Sequence, residues 1–477
     1  MINNFNKSLK FTAIFGSLQV ILVITQVIRS KFIAIKTGPE GFGEYSIYLS
    51  IFALILTIAG LGVNQGIIKE CASLFKKKEF NLLFKIKNKI TQYTILFFVI
   101  ILLILAFFLK PIHELFFTSD SNILFTFLVS ASVIFSVLAN NNIAFFQIAK
   151  NFSKVYKVKV YSAIASLIVT LLLIYFLGSD GFVYSIISTS FIFFIFSLKQ
   201  KEKIITSSNK SENTYVLEIF SIGVIFIIGS VIGALVINVN NYIVLNYSDY
   251  EITGFWNSGR TIIVNYSGLI FIGLSLEFYP RLASAKNSIL EMASILNNQI
   301  EVLLLLVIPI SIGLIIFSDT ILLVLFSSQF IVVSPFLKLS AIAILINTFT
   351  FAISYYPLVK GDKINYLLIN SVTPAIFSIV LSYYFFINYG LIGMGYSILI
   401  VSCIHFLSLL WYNYKIYSYS PPLKPFKLFT YGLVIILAVY SIDYLYLPNY
   451  IKWSIKILLL IFSLGLTIFS LIKNAKK

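Results

Sequence analysis

Charged residues are scarce in this sequence, at 11% of 477 residues, whereas soluble globular domains average about 25%. Hydrophobic residues make up 59%, and no water-soluble fold hides that much apolar surface. A helix of about 20 apolar residues crosses about 30 Å of hydrocarbon, and the apolar runs leave room for roughly fourteen such helices. The composition therefore predicts an all-α polytopic membrane protein and excludes a soluble enzyme.

Cysteine and histidine are rare as well, with two of each. Cys71 and Cys403 argue against a disulfide framework. His113 and His405 lack the spacing of metal ligands, and His405 is interpreted as a packed helix residue. The sequence has no Gly-x4-Gly-Lys-Ser/Thr loop and no Ser/His/Asp grouping. We therefore expect no ATP hydrolysis, no cofactor or metal, and no enzyme activity.

The apolar runs separate into fourteen predicted helices. They span residues 11–35, 42–66, 90–109, 123–146, 158–177, 181–198, 219–245, 254–279, 302–317, 331–358, 366–386, 391–412, 428–447 and 453–472. Stretches of linker-like composition at 207–213 and 418–425 divide them into two sets of six and a final pair. The predicted domains are an N-terminal lobe (1–206), a cytoplasmic linker (207–216), a second six-helix lobe (217–417) and two additional helices (418–477).

Positive residues are distributed unevenly between the two predicted sides of the membrane. If the helices alternate strictly, most of the 35 Lys and Arg fall in the termini and in the loops on one side. The opposite loops near Ser179, Asp249, Ser328 and Asn388 have none. Excess Lys and Arg mark the cytoplasmic side, so both termini are expected there. The +17 net charge is therefore read as an orientation signal, not as a nucleic-acid surface.

The two six-helix sets resemble each other at a fixed offset of 211 residues. The matched pairs are Glu40 with Glu251, Gly43 with Gly254, Tyr45 with Trp256, and Gly62 with Gly273. A parallel repeat relates two halves by an axis along the membrane normal, and the substrate site is expected between them. Four matches could also arise by chance.

Three cations inside predicted helices are the main candidates for binding. Ionisable residues in a membrane span usually face a cavity or a partner. Arg29 and Lys31 lie in the outer part of the first helix, and Arg260 lies at a similar depth in the eighth. If they face the cleft between the halves, they form a site suited to phosphate. Alternatively, Arg29 and Lys31 extend to the outer headgroups together with Lys36, and Lys338 could do the same.

Glu44 and several asparagines are further candidates. Glu44 could bind a coupling proton or sodium ion, or it could stabilise the start of the second helix as an acidic residue in its first turn. Asn141, Asn240 and Asn241 could line a path for sugar hydroxyls, or they could form hydrogen bonds between helices. Gly62-x3-Gly66 and Gly229-x3-Gly233 predict close helix packing.

Several motifs together resemble a known family. The run GPEGFGEY at 38–45 is similar to the signature of polysaccharide flippases of the multidrug/oligosaccharidyl-lipid/polysaccharide exporter superfamily. Further similarities are the Gly60-Leu61-Gly62 helix ending, the Gly254-x5-Arg260 helix start, and the Tyr279-Pro280 helix end within 277–282. The resemblance covers essentially the whole chain.

This resemblance implies a V-shaped pair of pseudo-symmetric six-helix bundles around a central cavity, working by alternating access. It implies a flippase that moves undecaprenyl-pyrophosphate-linked O-antigen or capsule units to the periplasmic leaflet of the bacterial inner membrane, with Arg29 and Arg260 as the cavity arginines. The second helix lacks a basic residue that a related peptidoglycan-precursor flippase carries, which argues against that substrate.

Two other function classes stay open at this stage. A drug/cation antiporter of the same superfamily should favour intramembrane carboxylates, and a polytopic polysaccharide polymerase or ligase should show a large periplasmic loop. For a flippase we expect H⁺ or Na⁺ coupling, a monomer, membrane lipids and the lipid-linked oligosaccharide as ligands, and a polymerase and glycosyltransferases as functional partners.

Overall fold

Every element that the computed structural model describes is helical, in residues 2–117, 121–198, 212–266, 268, 271, 278 and 281–475. Ten segments in these ranges are long and apolar enough to cross a membrane. Three of the ten, Leu18–Lys76, Phe152–Leu198 and Lys363–Tyr417, each contain two of the predicted helices. In the eighth predicted helix, most residues beyond 266 lie outside the described residues. The all-α polytopic architecture is therefore confirmed.

Contacts divide the chain into two compact units, Met1–Gly254 and Phe255–Lys477. The helices of the first unit are α1 (Ile2–Gly60), α2 (Val63–Lys76), α3 (Phe80–Phe107), α4 (Leu109–Phe116), α5 (Ile123–Ile148), α6 (Phe152–Leu177), α7 (Gly181–Leu198) and α8 (Glu212–Asn246). Helix α9 (Tyr250–Arg260) continues from the first unit into the second. The second unit contains α10 (Ile289–Ile316), α11 (Ser318–Leu325), α12 (Ser334–Lys360), α13 (Lys363–Leu367), α14 (Thr373–Tyr417), α15 (Leu423–Ser441) and α16 (Asn449–Ala475).

Helix α1 is two helices joined at Gly38, which has φ 68° and ψ −173°. These dihedral angles are essentially restricted to glycine, because a Cβ atom would clash with the backbone. Pro39 follows and begins the second helix, where its missing N–H costs nothing. Glu40 therefore occupies the first turn of this helix, and Glu44 lies one turn later. The prediction that Glu44 stabilises the first turn is wrong, because the helix begins earlier than its hydropathy indicates.

We expect Gly38→Ala to lower the unfolding free energy by about 1–3 kcal/mol, since alanine would have to adopt the strained dihedral angles. Thermal unfolding in detergent measures this. Gly313→Ala is the matched control, because Gly313 lies within a regular helix and its added methyl group would contact nothing within 4 Å. Equal melting temperatures for the two variants would show that Gly38 carries no strain cost.

Glycines allow unusually close packing inside the first unit. An added Cβ at Gly62 would lie 2.3 Å from the Gly223 carbonyl oxygen, and one at Gly66 would lie 2.3 Å from that of Ile219. The predicted close packing at Gly62-x3-Gly66 is therefore confirmed, and its partner is α8. At the other predicted motif, Gly233 has open space around it.

A second close approach joins two of the glycines matched by the internal repeat. An added Cβ at Gly43 would lie 2.0 Å from the Tyr250 carbonyl oxygen, and one at Gly254 would lie 2.0 Å from that of Pro39. Helices α1 and α9 thus cross with their backbones in contact. No side chain larger than hydrogen fits at either position without moving the backbone.

The unit boundary differs from the predicted domain division. Helix α8, predicted to begin the second lobe, groups with the first unit because it packs on α1, α2 and α3. Helices α15 and α16 group with the second unit because both pack on α10. Gly432 of α15 lies against Ile308, and the Thr467 hydroxyl donates a 2.7 Å hydrogen bond to the Leu305 carbonyl. Half of the predicted linker (207–216) lies outside the described residues, and the other half is not a linker, because α8 begins at Glu212.

The second unit contains a partly buried ion-pair group that connects three helical segments. Lys338 of α12 pairs with Asp443 at 2.9 Å, and Lys456 of α16 pairs with the same carboxylate. The Lys338 side chain is 23% exposed and that of Asp443 is 30% exposed. Lys338 therefore has a carboxylate partner inside the unit, which makes the headgroup interpretation of this residue unnecessary.

We expect Asp443→Ala to lower the unfolding free energy by about 1–3 kcal/mol, because it leaves two poorly solvated lysines without their counter-charge. The double variant Lys338→Met/Asp443→Leu should recover part of this loss. Thermal unfolding measures both effects. No recovery in the double variant would contradict the assignment of Lys338 to this group.

Candidate functional site

The first unit contains a polar cavity of about 500 Å³, within the range of small-molecule sites. It lies among both helices of α1 and helices α5, α6 and α7. The lining residues are Leu22, Thr25, Gln26, Arg29, Ser30, Tyr45, Leu49, Ser136, Asn140, Lys159, Ser162, Ala163, Ser166, Thr189 and Phe193. We call this space the cationic cavity.

Helical periodicity explains which residues line the cavity. On the first helix of α1 and on α6, the lining residues recur three and four positions apart, which places them on one helical face. On α6 that face carries Lys159, Ser162 and Ser166. Because α6 is otherwise strongly apolar, a cation and two hydroxyls on the same face indicate a wet interior surface.

Arg29 is half-buried and is held from two sides. Its Nη2 donates a 3.0 Å hydrogen bond to the Ser166 hydroxyl. The buried Tyr45 side chain lies beside Arg29 and Ser185. Arg29 Nε is buried and has no hydrogen-bond partner within the described part of the chain. A guanidinium that is oriented but not fully satisfied is suited to accept an anionic ligand.

The charge of the cavity is of one sign. Its charged lining residues in the described chain are Arg29 and Lys159, and none is a carboxylate. Both cations are half-buried, and a bound anion would compensate their charge in this partly desolvated space. The hydroxyls of Tyr45, Ser162 and Ser166 add neutral donors. The arrangement can therefore bind a phosphate or pyrophosphate group.

Sequence reasoning did not identify Lys159 as a candidate. Lys150, Lys154 and Lys157 precede it, so the sequence groups Lys159 with a cytoplasmic lysine cluster at the very start of the helix predicted over 158–177. The structure begins α6 at Phe152, which places Lys159 seven residues into the helix, or about 10 Å along it. The available signal was its spacing from Ser162 and Ser166, which puts all three residues on one helical face.

A smaller pocket of about 200 Å³ adjoins the cationic cavity, and Asn140 lines both. Its polar residues are neutral, namely Thr57, Asn64, Gln65, Asn140, Asn141 and Ser230. We call it the amide pocket. The Asn64 side-chain oxygen is buried, and no hydrogen-bond donor reaches it from the described residues.

The other asparagines contribute mostly to helix packing. Asn141 donates to the Thr94 hydroxyl at 3.4 Å, although it also lines the amide pocket. Asn238 exchanges hydrogen bonds with Ser50. Asn240 and Asn241 are buried in α8. The predicted sugar path through Asn141, Asn240 and Asn241 therefore stays a prediction, with Asn141 placed at a pocket.

Lys31 and Glu44 are half-buried in α1. Within the described chain neither lines the cationic cavity. Lys36 is exposed, and its ammonium lies 4.9 Å from the Tyr175 ring centroid. The predicted substrate role of Lys31 and the coupling role of Glu44 stay predictions.

Arg260 ends α9 in the second unit, immediately before a π-helical turn at Thr261–Tyr266. It is half-buried, and its Nε is buried without a hydrogen-bond partner in the described chain. π-Helical turns are frequent at functional sites. Arg260 thus resembles Arg29 in being partly unsatisfied, and their convergence on one ligand stays a prediction.

The histidines have structural partners. His113 contacts Thr126 and Ser121 at 2.9–3.1 Å, and His405 contacts Asn370 at 3.3 Å. Among the residues that the structure describes, no group of His, Cys, Asp and Glu could hold a metal ion.

Two family models match the chain. The model of the polysaccharide biosynthesis protein family matches residues 37–335, and the model of the lipid II flippase MurJ matches residues 259–464. No curated protein sequence matches the chain.

Several solved structures share the fold. The lipid II flippase MurJ in an inward closed conformation superposes with a TM-score of 0.69 at 16% identity, covering 98% of this chain and 100% of that one. An inward-facing multidrug resistance MATE family transporter gives 0.66 at 13% identity, covering 84% and 96%. A transporter of the same superfamily from Pyrococcus furiosus gives 0.56 at 12% identity, covering 83% and 92%.

The first family match bears out the predicted relation to membrane proteins of polysaccharide biosynthesis, and the solved structures show that a flippase and a MATE family transporter share this fold. The first model covers well over half of the sequence, from the kink of α1 to the start of α12. The chain therefore belongs to the polysaccharide biosynthesis protein family.

Proposed function

We propose that this protein is a flippase for an undecaprenyl-pyrophosphate-linked oligosaccharide, an O-antigen or capsule repeat unit. It moves the headgroup from the cytoplasmic to the periplasmic leaflet of the bacterial inner membrane by alternating access, with both termini in the cytoplasm. The observation that supports this most strongly is the cationic cavity, which presents Arg29 and Lys159 and no carboxylate.

The charge of the pyrophosphate is the main barrier to moving this lipid across the membrane. Moving a charged group from water into hydrocarbon costs many kcal/mol, so it does not cross unaided. The polyprenyl tail is apolar and can remain in lipid throughout. A protein therefore needs only a polar, cationic interior that accompanies the headgroup across the membrane.

Different residues of the cavity contribute different contacts to the pyrophosphate. The Arg29 guanidinium can hold two phosphate oxygens at once, and Ser166 and Tyr45 fix its orientation. Lys159 supplies a second charge as a mobile point cation. Arg260 and Lys31 are proposed as additional pyrophosphate contacts during the transport cycle.

The energy source is proposed to be an ion gradient, because the sequence has no nucleotide-binding loop. Glu44 is the candidate H⁺ or Na⁺ site, since it is the half-buried acid nearest to the membrane interior on α1.

The protein is proposed to act as a monomer, receiving substrate from glycosyltransferases and delivering it to a polymerase.

Lipid II is the second candidate substrate. It is favoured by the MurJ family match at residues 259–464 and by the superposition on the lipid II flippase. Both substrates carry a pyrophosphate, so the cationic cavity does not distinguish them. A drug/cation antiporter is disfavoured, because a cationic drug would be repelled by Arg29 and Lys159.

Reconstitution into proteoliposomes tests the proposal. Three substrates are compared: a fluorescent undecaprenyl-pyrophosphate oligosaccharide, fluorescent lipid II, and a cationic dye. We expect the protein to move the lipid-linked oligosaccharide between leaflets and to leave the dye where it is. Transport of the dye alone would overturn the flippase assignment, and transport of lipid II alone would replace the substrate.

A further inference from the structure

The amide pocket has a composition unlike that of the cavity beside it. Its polar lining consists of side-chain amides and hydroxyls, and within the described chain no charged residue lines it. Side-chain amides offer both donors and acceptors, which matches the alternating hydroxyl and ether groups of a sugar. The pocket is therefore suited to a neutral, polyhydroxylated ligand.

The two spaces lie along one helix face and share one lining residue. On the second helix of α1, Tyr45 and Leu49 line the cationic cavity, and Leu56 and Gly60 line the amide pocket. These positions are four, seven and four residues apart, so they lie on the same side of the helix. On α5, Asn140 faces both spaces. The two spaces are therefore neighbours, and a ligand bound in one would extend towards the other past Asn140.

The size of the amide pocket limits what it holds. Its volume of about 200 Å³ equals the share of roughly six or seven water molecules, so it accommodates one sugar ring and not a chain. The buried Asn64 oxygen is an acceptor without a donor from the described residues. Leaving such a group unpaired is costly, and a sugar hydroxyl would satisfy it.

We propose that the amide pocket is the subsite for the first sugar, the one joined to the pyrophosphate, and that it selects a neutral hexose or N-acetylhexosamine. This inference rests on the proposed function, because the pyrophosphate in the cationic cavity places the first sugar beside Asn140. An acidic sugar in this position is disfavoured, since no cation lines the pocket to balance a carboxylate.

A matched pair of ligands tests the subsite. Binding of undecaprenyl pyrophosphate is compared with binding of the same lipid carrying one N-acetylglucosamine, by thermophoresis of the purified full-length protein. We expect the wild type to prefer the glycosylated lipid by about tenfold, which corresponds to one or two additional hydrogen bonds. The double variant Asn64→Leu/Gln65→Met should lose this preference and bind the unglycosylated lipid as the wild type does.

Asn142→Leu is the control variant. Asn142 is the next residue of α5, donates to the Ser197 hydroxyl at 3.1 Å, and lines neither space. It should keep the tenfold preference. If the double variant folds poorly, Asn64→Ser replaces it, and the ratio of the two affinities does not depend on the folded fraction.

The outcomes separate the two claims. A wild type that binds both lipids equally, or a double variant that keeps the full preference, would overturn the sugar subsite and leave the flippase proposal standing. A wild type that binds neither lipid would overturn the flippase proposal itself, and the subsite with it.

Discussion

Arg29→Ala is expected to weaken the binding of undecaprenyl pyrophosphate by about 10- to 100-fold, and Lys159→Ala by about 10-fold. A hydrogen bond to a charged group contributes about 1.5–3 kcal/mol, and each 1.4 kcal/mol corresponds to a factor of ten in affinity. The effect is larger for Arg29, because its planar fork can hold two phosphate oxygens and Lys159 presents a single point charge. Thermophoresis or calorimetry on the purified protein measures it.

Two control variants separate a specific contact from a general loss of charge. Arg29→Lys keeps the charge and removes the fork, so it should recover only part of the affinity. Lys36→Ala removes an exposed cation of the same helix and should leave binding unchanged. Alanine variants of Arg29 and Lys159 that bind as tightly as the wild type would contradict the role of the cationic cavity.

Gly43→Ala and Gly254→Ala are each expected to lower the unfolding free energy by about 3 kcal/mol or more. Each added methyl group would lie 2.0 Å from a backbone carbonyl oxygen, and backbone atoms cannot move aside as a flexible side chain can. Overpacking typically costs about 1–3 kcal/mol, and a clash with backbone lies at the upper end of that range. Thermal unfolding in detergent and the yield of monodisperse protein measure the loss.

Gly233→Ala provides the comparison for these variants. Gly233 lies in α8 of the same unit and has nothing within 4 Å of an added Cβ. Alanine there should be neutral or stabilising by about 0.5–1 kcal/mol, because it favours the helix. If Gly43→Ala and Gly233→Ala melt at the same temperature, α1 and α9 do not cross as closely as described.

The helical architecture could be predicted from hydropathy, because apolar runs of fixed length are required to cross a bilayer. The boundaries were less predictable. Hydropathy ends the first predicted helix at residue 35 and begins the second at residue 42. In the structure, α1 is helical through this region and changes direction only at Gly38. A single glycine in an unusual conformation can turn a helix without a loop, and hydropathy does not detect it.

The unit boundary could not be predicted for a related reason. The polar stretch after α7 suggests a division near residue 207, but α8 packs on α1, α2 and α3. Glycines 62, 66 and 223 permit that close packing. The repeat offset of 211 residues pairs Gly43 with Gly254, and this correspondence stays a prediction. The offset does not predict that these two glycines also contact each other, because this contact depends on the tertiary structure.

Within the candidate site, Arg29 was predicted and Lys159 was not. Arg29 interrupts an apolar run, so the sequence alone indicates a charged side chain whose insertion into the membrane costs free energy and requires a partner. Lys159 follows three other lysines, so it looks like the end of a cytoplasmic loop. Lys338 also interrupts an apolar run, but its partner is Asp443, more than 100 residues away, and neither a headgroup nor a substrate is needed to explain it. An intramembrane charge indicates a partner, and only the fold shows whether that partner is a ligand or another side chain.

The central claim is that Arg29 and Lys159 hold the pyrophosphate together inside the first unit. A cryo-EM map of the protein in nanodiscs with a bound undecaprenyl-pyrophosphate sugar tests this most directly. The account predicts phosphate density in the cationic cavity, within about 3 Å of the Arg29 guanidinium and of Lys159 Nζ. Phosphate density elsewhere, with Arg29 and Lys159 contacting only protein or lipid, would contradict it.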